Sequence, residues 1–153
     1  MTVRVVNRMQ QRLEDFARQL SGTWAIEITL PARGGQGPTN ADLVEYLKDG
    51  DRDFLAVTNE MRTAAIRVFK RSAVALIRHH RADLTPAFDG IGEGVLSHIV
   101  QRFRRSGSAG PPDVPMRALS TEYARRKGHS RIGVLSGRLR LAFGDARVQT
   151  RRR

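Results

Sequence analysis

Between Phe54 and Phe103 the chain twice repeats apolar residues at helical spacing, on either side of Asp83-Leu84-Thr85-Pro86, and this doubled stripe constrains the fold more than any other feature. Phe54, Val57, Met61, Ala64, Ala65, Val68, Ala75 and Leu76 fall on one side of a helix drawn from Arg52 to about His80. Pro86 has no N–H to continue that ladder, so the helix ends before it. A second stripe follows through Ile91, Val95, Ile99 and Phe103, ending near Ser106-Gly107. The outer side of the first helix is mixed. Arg67, Lys70, Arg71 and Arg78 are joined there by Ile66, Val74 and Ile77, which a surface helix would normally make polar. Either a second internal element covers these three, or another subunit does.

The rest of the chain supplies shorter elements. Val6, Met9, Leu13, Phe16, Ala17 and Leu20 recur at steps of three and four, which predicts a helix over residues 3–20 that Ser21-Gly22 stops. Residues 23–30 alternate partly with period two and are rich in β-branched side chains, so they are the best strand candidate, ended by Pro31. Glycines and prolines make residues 31–39 and 106–115 loops. Asn40 can cap a short helix over residues 42–47, and Asp49-Gly50-Asp51 turns the chain. A short helix around Ser120–Arg126, an irregular turn at 127–133 and an amphipathic stretch over Val134–Phe143 precede three terminal arginines. The expected organisation is an N-terminal helix or arm over 1–22, a domain over 23–143 and a basic tail over 144–153.

A chain of 153 residues can bury a real core. Aromatics make up only 6% of it, so a mostly aliphatic core is expected. With no cysteine, disulfides, thiolate nucleophiles and cysteine-ligated zinc are excluded, and a reducing compartment fits. No apolar run approaches the length of a membrane span, and no apolar segment leads to a small-residue cleavage site. A formal charge of +12 favours a polyanionic neighbour, either nucleic acid or an acidic protein surface.

Catalytic and metal patterns fail on spacing. His79, His80, His98 and His129 form no HExxH arrangement, and the adjacent pair would diverge on a helix. Gly90-Ile91-Gly92-Glu93-Gly94 follows a helix rather than a strand and has Val95 where a phosphate loop needs its third glycine, so it reads as a flexible helix start. Gly128-His129-Ser130 lacks the second glycine of GxSxG, which leaves a small hydrolase using Ser130 and His129 without an elbow. Asp49, Asp51 and Asp53 miss the EF-hand spacing and suit turns and caps. No catalytic residue, cofactor site or metal site is expected. The basic clusters at 78–81, 102–105, 125–127 and 151–153 lie on several elements, three of them at helix C-termini where cations complement the macrodipole. Without a recognition helix or stacking aromatics, they suit generic contact with DNA rather than sequence reading.

The most specific stretch runs Arg117-Ala118-Leu119-Ser120-Thr121-Glu122-Tyr123-Ala124-Arg125-Arg126-Lys127-Gly128-His129-Ser130, then Ile132-Gly133-Val134-Leu135-Ser136-Gly137-Arg138-Leu139-Arg140. It resembles the C-terminal signature of the virion-morphogenesis proteins of tailed bacteriophages, the Mu-like neck and tail-completion group. There a "PLSPxTxxRKG" segment after a proline-rich loop leads into "LxDTGxLRxSI". Leu119-Ser120, Arg126-Lys127-Gly128 and Leu135-Ser136-Gly137-Arg138-Leu139 match that frame; Ser136 stands where the family has threonine, and the preceding aspartate is missing. Upstream, Arg52-Asp53-Phe54-Leu55 is similar to the family's "RPFL", with Asp53 in place of proline.

The resemblance implies a non-enzymatic α+β virion subunit that joins or completes the head-to-tail region as a six-fold or twelve-fold ring around the DNA channel. Its implied partners are copies of itself, portal or connector and tail proteins, and packaged DNA without sequence preference, and it would be made in the host cytoplasm. The candidate assembly interface comprises Ile66, Val74, Ile77, Arg125, Arg126, Lys127, Gly128, Ser136, Gly137, Arg138, Leu139 and Arg140. The expected fold is helix-dominated, with a small antiparallel sheet that includes residues 23–30 and has the segment after Arg138 as its candidate second part. A basic, non-sequence-specific DNA-binding accessory protein is the alternative.

Overall fold

The computed structural model describes residues 11, 14–32, 39–49, 53–79, 83–106, 112–114, 116–128 and 138–153. Among them run helix α1 over residues 14–20, strand β1 (Trp24–Thr29), helices α2 (Asn40–Asp49), α3 (Asn59–Arg78), α4 (Thr85–Arg105), α5 (Thr121–Lys127) and α6 (Arg138–Gly144), and strand β2 (Arg147–Arg152). The fold is α+β and helix-dominated, with one two-stranded antiparallel sheet. The partner of β1 is the arginine-rich segment read from sequence as a basic tail. Ile26 faces Thr150 and Ile28 faces Val148 across the ladder, so the short alternation Val148, Thr150 puts its less exposed side chains beside those of β1.

Helix α4 is the centre of the molecule, packing on α3, on both strands and on α6. Its three closely spaced glycines explain how. At helical spacing Gly90 and Gly94 share a face, and a methyl group on either would meet Val68 of α3, whereas Gly92 points the other way, at Val148 and Ile26 of the sheet. They lie inside α4 rather than at a flexible helix start. Small residues are needed because two neighbours approach the same turn from opposite sides.

Among the described residues two clusters form the core. The larger holds Phe54, Met61, Leu96, Ile99, Phe103, Met116, Leu139 and Phe143; the smaller holds Leu76, Leu84 and Ala87, with Phe16, Trp24, Phe69 and Phe88 packed on it. The core is mostly aliphatic, as expected, but its centre is aromatic. Phe54 and Phe103 stack with ring centroids 4.3 Å apart, and Phe143 continues the stack at 5.5 Å. Such a pair is worth about 0.5–1.5 kcal/mol beyond area burial. Few aromatics suffice because they are concentrated. The N–H of Leu84, itself fully buried, is taken up by Gln19 Oε1 at 2.9 Å, which ties α1 to the start of α4.

Two helix starts differ from the sequence expectation. The cap of α2 is Thr39, one residue before Asn40. Its hydroxyl accepts from the Asp42 N–H at 3.1 Å while Asp42 accepts from the Thr39 N–H at 2.7 Å, a reciprocal capping box. Asn40 instead turns inward and donates to the Pro31 carbonyl. Helix α3 begins at Asn59 rather than Arg52, because the Phe54 and Ala56 carbonyls are taken by the guanidinium of Arg102 and Thr58 caps the helix by accepting from the Met61 N–H. That cap gives a direct check. Thr58→Ala should lower unfolding stability by about 1 kcal/mol and Thr58→Ser by much less, measured by urea denaturation. The drawn stripe shifts accordingly: Val57 and Ala64 are exposed, Ala73 is buried, and Ala75 faces out.

Candidate interaction surface

Helix α3 buries Met61, Ala73 and Leu76 and turns Val68 and Phe69 inward beside them, so the side opposite these residues faces outward. On that side Ile66 is 55%, Val74 48% and Ile77 52% exposed. No described element covers them, and of the two readings open at the sequence level the internal cover is not found among the described residues. Thr63 and Lys70 lie in the same sector, and Arg67, Arg71 and Arg78 beside it.

The other predicted positions divide. Arg125 and Arg126 are exposed on the last turn of α5, Lys127 is half-buried, and Gly128 closes the helix with φ 79°, a left-handed conformation that favours glycine. Ser120 caps the same helix by accepting from the Tyr123 N–H. The guanidinium of Arg126 sits 5.8 Å from the centre of the Tyr123 ring. Ser136 and Gly137 lie outside the described residues, as do Ser130 and His129. Arg138 opens α6, and Arg140 is exposed on it. Leu139 is a correction: at 6% exposure it packs in the larger core cluster with Phe143, because α6 turns that face onto α4. The apolar residue that α6 does present is Leu141, 60% exposed.

The basic clusters do not make one patch of equal members. Arg102 is 2% exposed and structural, whereas Arg104 and Arg105 face out. Of the C-terminal arginines Arg151 and Arg152 belong to β2, where Arg151 lies 3.8 Å from Glu27 and Arg152 donates to the Arg18 carbonyl.

A polar centre invisible in the sequence surrounds Arg102. Its guanidinium donates to Phe54 O at 2.7 Å and Ala56 O at 2.8 Å, and lies 2.7 Å from Asp113 Oδ2, which also sits 3.0 Å from His98 Nε2. Burial by itself pushes the Asp113 carboxyl up, but hydrogen bonds from Arg102 and His98, with the Arg102 charge, outweigh it and hold the carboxyl below the ordinary range. Glu60, His98 and Asp113 bring one ligand atom each within 4.8 Å of one another. The carboxylate already has a cation in Arg102, so the group reads as an internal ion pair that fastens residues 112–114 to α4. Its partners are 11 and 15 residues apart in sequence and fit no ligand spacing. Asp53, offered by the sequence as a turn former, accepts from the Leu55 N–H at 2.8 Å.

Among the described residues no helix is long and apolar enough to cross a membrane. No family model matches the chain, and no curated protein or solved structure is significantly similar to it.

Proposed function

We propose that this chain is a non-enzymatic structural subunit of a tailed-phage particle, a neck, tail-completion or tail-terminator protein that assembles as a ring at the head-to-tail junction. The observation that carries the reading of an assembly part is the uncovered aliphatic row Ile66, Val74 and Ile77, a contact for another protein of the particle, on a helix whose other face is committed to the core. The resemblance of residues 117–140 to virion-morphogenesis proteins supplies the kind of assembly. Within that stretch Ser120 and Gly128 bound α5 and leave Arg125 and Arg126 outward, a geometry suited to contact rather than to chemistry.

Electron microscopy of lysates from a phage carrying an early stop codon in this gene tests the reading. DNA-filled heads accumulating beside separate, normal tails are expected; intact, infectious particles would overturn it. A formal charge of +12 favours the second reading, a DNA-binding accessory protein. That reading requires duplex affinity to survive physiological salt, since contacts made only to phosphates weaken steeply as counterions are restored.

A further inference from the structure

The charges around the α3 row indicate what kind of surface meets it. Ile66, Lys70, Val74 and Ile77 fall within about 80° of one another at helical spacing, so the row presents three aliphatic side chains with one ammonium among them. Arg67, Arg71 and Arg78 flank it, and among the described residues none of the four cations has a carboxylate partner. Glu60 is the only acidic side chain on α3, in its first turn. We propose that this face receives an acidic helix with its own aliphatic row, supplied by a protein other than a second copy of the same face.

Charge complementarity selects this occupant. Two α3 faces brought together would set four cations against four across a desolvated contact, and like-charge juxtaposition of that kind opposes association strongly. Duplex DNA would satisfy the cations but leave Ile66, Val74 and Ile77 against a charged backbone. A bilayer surface prefers a broad apolar face with aromatic anchors, whereas this row is narrow, contains no aromatic residue and lies on a helix already docked along its other side. A helix laid lengthwise uses anchors at steps of three and four, which is the spacing Lys70, Val74 and Ile77 provide. Opposite Lys70 its sequence should carry a carboxylate.

The inference rests on the assembly reading only in taking the face to be a contact. The test titrates the full chain with two labelled helical peptides that share a leucine row, one flanked by glutamates and the other by lysines, and follows fluorescence anisotropy. The glutamate peptide should bind with salt-sensitive affinity and the lysine peptide should not. Paired Ile66→Ser and Val74→Ser changes should weaken binding by about tenfold or more, as loss of a central anchor does. Arg67→Glu with Arg71→Glu leaves two anions against Lys70 and Arg78 and should abolish the preference; both pairs change exposed side chains, and circular dichroism verifies their fold.

Equal binding of the two peptides, or an undiminished preference in the charge-swapped variant, would overturn the proposal. So would self-association of the free protein that Val74→Ser abolishes, or anionic phosphatidylglycerol vesicles or duplex DNA displacing the peptide. Such a failure beside separated heads and tails in the stop-codon phage would remove the acidic partner and leave the assembly reading standing. Selective peptide binding with intact phage particles would do the opposite.

Discussion

Replacing Arg102 with methionine should lower unfolding stability by about 1–3 kcal/mol, the cost of leaving a largely enclosed carboxylate and two carbonyls without their donor. The Arg102 side chain is 2% exposed and that of Asp113 is 11% exposed, so little water is available to replace the lost partner. The same change orphans the Phe54 and Ala56 carbonyls and removes a donor to Thr58 Oγ1, loosening the turn that precedes α3 and the segment at 112–114 together. Arg102→Lys should recover only part of this, because an ammonium keeps the charge but not the fork that spans two carbonyls and a carboxylate. Asp113→Asn added to Arg102→Met should also recover part, by removing the stranded charge.

The pH dependence has a definite sign. Asp113 is held below the ordinary carboxylate value of 3.8, so its contribution is fully present above that value and lost as pH falls through the lowered one. The stability difference between wild type and Arg102→Met should therefore be constant near neutrality and shrink in the acid range. Urea unfolding at a series of pH values reads both the size and the slope. A difference below about 1 kcal/mol at neutral pH, or one that grows on acidification, would show that the pair does not hold the turn.

How much of this was legible in the sequence depends on the distance over which each feature is decided. The stripes of α3 and α4 were legible because a helix advertises its buried side every three or four residues, and the strand at Trp24–Thr29 because its β-branched alternation ends at a proline. The true start of α3 was not. Phe54 and Val57 continue the stripe, and what stops the helix is Arg102, 46 and 48 residues away from the carbonyls it takes. Arg102 itself looked like one more cation at a helix C-terminus, where the macrodipole already accounts for it.

Strand β2 was obscured in a similar way. Arg147, Arg151 and Arg152 read as a basic tail, while only Val148 and Thr150 give the alternation, and its register is set by β1 at the other end of the chain. The uncovered row Ile66, Val74 and Ile77 was legible because these residues break the polarity of a surface helix. Leu139 was misread and Leu141 missed because a seven-residue helix is too short for periodicity to separate its two sides.

Gly92→Ala should lower stability by about 1–3 kcal/mol even though alanine is the better helix former, and Gly92→Leu should lower it further. A Cβ at position 92 would come within 2.8 Å of Ile26 Cγ2 and closer still to Val148 Cγ1, and both contacts are to β-branched side chains held in the ladder. Relief would require the sheet to lift from α4, exposing Ile26 and Val148. The neighbouring glycine supplies the control. At Gly94 the nearest atom to a new Cβ is Val68 Cγ2 at 3.8 Å, an ordinary contact, so Gly94→Ala should gain up to about 1 kcal/mol from helix propensity. Hydrogen exchange of the β1–β2 amides separates local lifting from global unfolding: it should accelerate in Gly92→Ala and not in Gly94→Ala. Val148→Ala placed in the Gly92→Ala background should return part of the loss, because the two changes share one contact. Stabilisation by Gly92→Ala would mean that the sheet does not sit on this turn of α4, and with it would go the packing that holds the C-terminal strand to the rest of the chain.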